Sequence, residues 1–207
     1  MARYSSEHKQ ATRQRMIETA ARRLKSDGID GSGIATLVAD AGLTNGAFYG
    51  HFASKDDLVA TVIGQQLGEQ AARIDAEPAG LESLEAFVRA YLSPEHRTDR
   101  SGGCPSAALL DEVGRRDDAT REAYTTGARA LIHAIARHLD AAEVGDPLLT
   151  TQRAIGLYTL LVGSLQLARA VNDPELSDQI LAAAYANALT LAGARPGPAT
   201  PTHQESS

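Results

Sequence analysis

Leu43 to Lys55 read LTNGAFYGHFASK: two glycines, two phenylalanines, a tyrosine, a histidine and a lysine within thirteen residues. The run follows a short apolar segment that closes on Ala41-Gly42. Gly42 ends that segment where the lack of a Cβ permits positive φ, so a turn belongs there. Thr44 can then cap a short helix from Asn45 to about His51. Phe48 and Phe52, four apart, anchor its inner face. Ser54 followed by Asp57 has the form of a capping box with Asp in place of Glu, and it opens the next helix.

Working outward, the pattern stays helical. Upstream, Ile17, Ala20, Ala21 and Leu24 form a helical stripe within a helix read from about Ser6 to Ser26. Asp27-Gly28 stops it. Ser32 is placed as the N-cap of a short helix carrying Ile34, Leu37, Val38 and Ala41 inward. Downstream, a fourth helix reaches about Arg73, and Glu77-Pro78-Ala79-Gly80 is a break. Further helices fall at about 81–93, 104–115, 118–140, 149–171 and 174–192, with Ser93 to Gly103 read as a polar loop. The fold class is therefore all-α, with about nine helices. The domains expected are a helix-turn-helix head at 1–55, a helical body at 56–193, and a disordered Pro- and Gly-rich tail at 194–207.

The formal net charge of the 207 residues is −6. It is unevenly placed, with eight Lys or Arg against five Asp or Glu in residues 1–55, and twelve against twenty-one beyond. A basic head on an acidic body holds phosphate at one end and repels unspecific contact at the other. A lone cysteine, Cys104, rules out an internal disulfide framework. The uncharged run Ala154 to Ala168 is fifteen residues, short of the roughly 18–20 a membrane span needs. A cytoplasmic protein without membrane contact is expected. Phosphate-binding Gly loops, HExxH pairs, paired cysteines and G-x-S-x-G elbows are missing from the sequence. No catalytic residue, metal or cofactor is therefore assigned, and a binding protein is expected rather than an enzyme.

A short helix, a turn and a second short helix suit the major groove of DNA. Thr44 and Asn45 bring a hydroxyl and an amide to a phosphate or a base edge. Gly46 and Ala47 let the backbone approach closely. Tyr49, His51 and Lys55 are donors for phosphate oxygens. Tyr4, His8, Lys9 and Arg13 are secondary candidates ahead of the head.

From Ser32 to Leu58 the chain, SGIATLVADAGLTNGAFYGHFASKDDL, resembles the N-terminal domain of the TetR family of transcriptional repressors. The matching positions are Ala41-Gly42-Leu43, Thr44, Gly46, Tyr49, His51-Phe52, Ser54-Lys55 and Asp57-Leu58. Gly50 departs from the pattern, standing where a larger side chain is usual. The resemblance implies that Thr44, Tyr49, His51 and Lys55 contact phosphates, that Asn45 and Ala47 lie near base edges, and that Ser32 touches the DNA backbone. It also implies a homodimer on a palindromic double-stranded operator and release by a small-molecule effector. The apolar residues Ile155 to Leu167, on every face of one helix, and the Ala-rich 180–192 segment fit such pairing. For the effector pocket the candidates are Phe87, Tyr91, Cys104, Tyr124, His133, Tyr158 and Gln166. Cys104 in GCPSAAL also resembles a family subset that senses electrophiles or oxidants, which leaves a thiol-sensing repressor as an alternative. A helical ligand-binding protein or enzyme without DNA binding is the alternative of a different class.

Overall fold

The computed structural model describes residues 2–141 and 147–193. Among them are ten helices and no strand. The head comprises α1 (Ala2–Asp27), α2 (Ile34–Asp40) and α3 (Asn45–Tyr49), followed by α4 (Lys55–Ala76). The body holds α5 (Leu81–Tyr91), α6 (Pro94–Thr98), α7 (Pro105–Gly114), α8 (Asp118–Asp140), α9 (Pro147–Ala170) and α10 (Pro174–Ala192). The proposed tail lies outside the described residues, and α1 begins ahead of the expected Ser6.

The turn between α2 and α3 is built as the residues dictate. Gly42 has φ of 65°. Its N–H donates to Ala39 O at 2.9 Å, and the Leu43 N–H donates to Val38 O at 3.0 Å. This pair of bonds is a Schellman closure, which satisfies carbonyls the helix end would leave bare. At the start of α4 the capping box is reciprocal: Asp57 N–H donates to Ser54 Oγ at 3.1 Å, and Ala53 N–H donates to Asp57 Oδ2 at 2.9 Å. Phe48, Phe52, Met16, Leu37 and Leu58 are all buried and close the head's core.

Two sequence expectations change. Ser32 is not the cap of α2; Gly33 takes that place without a side-chain bond. The expected polar loop after α5 contains a short helix, α6. Ser93 accepts from His96 N–H, and Pro94 stands at the first helical turn, where its missing N–H costs nothing.

α4 and α8 form the most extensive packing pair, with α9 laid on α8 and α10 on α9. Their approach needs Gly127, since a Cβ there would lie 2.4 Å from the Leu67 Cβ. Gly127→Ala should destabilise the fold by about 1–3 kcal/mol through overpacking, measured as a lower midpoint in urea unfolding.

Candidate nucleic-acid interface and effector cavity

At the head, Thr44 caps α3 by accepting from Ala47 N–H at 3.4 Å. Thr44, Asn45 and Gly46 are exposed and Ala47 half-buried. The first turn of α3 therefore meets solvent with small side chains around it. Tyr49 is 64% exposed, its ring standing edge-on to Phe48 with centroids 5.1 Å apart. Lys55 and His51 are half-buried beside it. Arg13 of α1 lies over the Phe52 ring, 4.8 Å from its centroid, so α1 brings a cation to the same side. Burial, and then the charges of Lys9 and Arg13, hold the His51 imidazole below its usual pKa.

The frame behind these groups is charge-locked. Arg23 of α1 grips Asp40 of α2 through Nε at 2.6 Å and a terminal nitrogen at 3.0 Å. Ser32 corrects the expectation that it touches the DNA backbone. It is fully buried, and its hydroxyl donates to Gly28 O at 2.8 Å, which fastens the loop between α1 and α2.

The head is tied to the body by α7. Glu112 Oε2 accepts from Ile29 N–H at 2.8 Å and from Asp30 N–H at 3.0 Å. Arg116 pairs with Asp30 and lies 3.9 Å from Asp56 at the start of α4. A side chain on Gly28 would strike Glu112, with a Cβ 2.7 Å from its Oε1, and φ there is 81°. Glycine is needed at that position on both grounds.

The opposite end of α7 borders a cavity of about 590 Å³ between α1, α4, α5 and the loop before Cys104. Phe87, Tyr91 and Cys104, expected in the pocket, line it. Tyr124 and Tyr158 stand outside it. Both bond Ser106 Oγ, at 3.1 and 2.6 Å, which places them as a hydrogen-bonded cluster one turn into α7. Burial, with Cys104 nearby, raises the Tyr158 phenol well above its ordinary pKa. His133 is exposed on α8, Gln166 is half-buried on α9, and neither borders this cavity.

Several lining residues escaped sequence reading. Lys25 is buried and donates to Gln66 Oε1 at 3.1 Å and to Gly103 O at 2.9 Å. Burial lowers its pKa, opposed by Cys104 and Asp99. His96 accepts from Cys104 N–H at Nε2, 3.0 Å, while its Nδ1 lies 2.7 Å from Tyr91 O. The Nδ1–H tautomer satisfies both contacts, and burial lowers its pKa. A second cavity of about 630 Å³ shares Gln70, Arg73 and Phe87 with the first. The available signal was polarity at a buried stripe: Lys25 follows Ala21 by four residues, and Gln70 follows Leu67 by three.

A family model described as bacterial regulatory proteins, tetR family, matches residues 16–62, and a tetracyclin repressor-like C-terminal domain matches 80–184. The chain is 28% identical over 169 residues to the HTH-type transcriptional regulator Rv0196 of Mycobacterium tuberculosis, covering 79% of this chain and 87% of that one. It is 31% identical over 106 residues to the regulator AcrR of Shigella flexneri, covering 47% and 49%. In fold it resembles reduced NemR of E. coli, with a TM-score of 0.75 at 22% identity over 92% of this chain and 100% of that one. A regulator from Agrobacterium tumefaciens gives 0.70 at 18% identity over 86% and 98%.

Removing Lys9 and Arg13 together should raise the His51 pKa toward the ordinary value, because the imidazolium then loses two repelling charges. Ring-proton NMR titration of His51 in the double alanine variant reads this directly.

Proposed function

The chain belongs to the TetR family of transcriptional regulators, and on that footing we propose that it is a homodimeric repressor of a palindromic operator, released by a small molecule. The observation that carries the reading is the exposed capped turn Thr44-Asn45-Gly46 beside Tyr49 and Lys55. In this role Thr44, Tyr49, His51 and Lys55 hold phosphates and fix the register. Asn45, with Ala47, meets base edges. A binding role accounts for these residues without catalysis.

Pairing is assigned to α9 and α10. Their inner faces are buried within the chain, while Leu148, Ile155, Leu167, Leu176 and Leu191 remain exposed. So much uncovered apolar surface on adjacent helices suits a second copy. A dimer on two half-sites needs heads about 34–36 Å apart, or a multiple of that. An effector that favours another spacing empties the DNA-competent state in proportion to its differential affinity. α7 suits the transmission, with the cavity at its Cys104 end and the Glu112 and Arg116 grip on the head at its other end. No helix among the described residues is long and apolar enough to cross a membrane.

A second reading has its own observation. Cys104 caps α7 at the cavity wall, with the Tyr91 hydroxyl against it and the Lys25 ammonium in electrostatic reach. In this version modification of Cys104 is the releasing event.

Operators are to be found by selecting genomic fragments bound by the purified protein, then titrated at several salt concentrations. Lys55→Ala should weaken all sequences alike and lower the salt slope by about one, whereas Asn45→Ala should change the ranking of operators. An unchanged slope and ranking in both variants would refute the docking. For the second reading, alkylation should release the wild type from its operator and leave Cys104→Ser bound; equal release of both would exclude Cys104 as the sensor.

A further inference from the structure

The cavity beside Cys104 has a distinct charge pattern. Arg22 and Arg73 stand exposed at its rim, one from α1 and one from α4, and Lys25 lies buried within it. Among the described residues neither guanidinium has a carboxylate partner, and both press electrostatically on Lys25. Glu18, bonded to Gln14, is the carboxylate in the lining. Asp99 lies near Lys25 but is held by Gly102 N–H and Ser101.

The polar groups deeper in the cavity are incomplete. Gln70 is 8% exposed, and its Oε1 is buried without a hydrogen-bond partner. The Tyr91 hydroxyl is likewise unpartnered by oxygen or nitrogen. Buried polar atoms left this way are uncommon, and they cost free energy unless something fills the gap. Phe87, Ala90 and Pro105 supply an apolar wall. A volume near 590 Å³ falls in the range of small-molecule sites.

We propose that this cavity binds a small organic carboxylate. Its anionic end faces Arg22, Arg73 and Lys25, its body lies on Phe87 and Ala90, and a donor group on it meets Gln70. The two guanidinium forks match a carboxylate's paired oxygens. Such a ligand would draw α1 of the head toward α4 of the body, so its binding energy bears directly on head position. The inference rests on the regulator reading for its purpose and on the cavity alone for its chemistry.

Cys104 serves as a built-in reporter for the test. Iodoacetate and iodoacetamide differ in charge and little in size. With each, the Cys104 thiolate sulfur bonds the methylene carbon and iodide leaves. The ratio of the two labelling rates, measured by mass spectrometry on the whole chain, is compared with the same ratio for the chain unfolded in urea. Native protein should favour iodoacetate by about tenfold over that reference. Arg22→Gln with Arg73→Gln should bring the ratio back to the unfolded value, and the paired Lys variants should retain it. A native ratio equal to the unfolded one, a ratio indifferent to the Gln pair, or no labelling by either reagent would overturn the proposal. None of these outcomes involves DNA, so a failure here is separable from failure of the operator titration.

Discussion

Where α8 crosses α4, Gly127 meets Leu67 with no room for even a methyl group between them. That contact fixes how deep α8 sits on α4, a helix that starts beside the head and runs past the cavity. At 22 residues it is about 33 Å long. It carries Lys55 at its first turn and Gln70 and Arg73 at the cavity. α9 packs on α8, and α10 on α9, so the exposed apolar face assigned to the dimer is positioned through the same crossing. Displacing α8 from α4 would disturb the head, the cavity and the pairing face together.

α7 supplies a second link of a different kind. Its head-side end works by hydrogen bonds and charge, through Glu112 on the backbone of Ile29 and Asp30 and Arg116 on Asp30 and Asp56. Its other end is packed, with Cys104, Ser106 and Tyr158 buried together. Packed cores shift between discrete arrangements rather than deforming smoothly. α7 thus runs from Cys104 and the adjoining cavity to Asp30, in the loop before α2. Lys25 reinforces the connection, since it ties α1 to the Gly103 carbonyl immediately before Cys104.

The charge placement follows the same division of labour. The head's cations sit around α1 and the start of α4, and burial, followed by the charges of Lys9 and Arg13, holds the His51 pKa down. An anion placed beside His51 would relieve that repulsion. The cavity repeats the pattern at smaller scale, with Arg22, Arg73 and Lys25 around unpartnered polar atoms.

Local chemistry made the head legible from residues alone. Thr44, Ser54, Asp57 and Gly42 act within four or five positions of themselves, so their caps and turn are written in sequence spacing. The helices of the body were legible for the same reason, apart from α6, where Ser93-Pro94 signalled a start that the surrounding polarity obscured. Ser32 was misplaced because its partner is the Gly28 carbonyl, and a buried hydroxyl and an exposed one read alike in sequence. The cavity was legible only in part. Phe87, Tyr91 and Cys104 were found, while Lys25, Gln70, His96, Arg22 and Arg73 were not, because they converge from three separate elements. Periodicity tells which side of a helix turns inward; what that side meets depends on crossings such as Gly127 on Leu67. The sequence by itself determined the all-helical chain and its helix-turn-helix, through contacts a few residues apart. Only the tertiary structure decided which side chains share the cavity and which helix joins it to the head, because those contacts span up to 86 residues of chain.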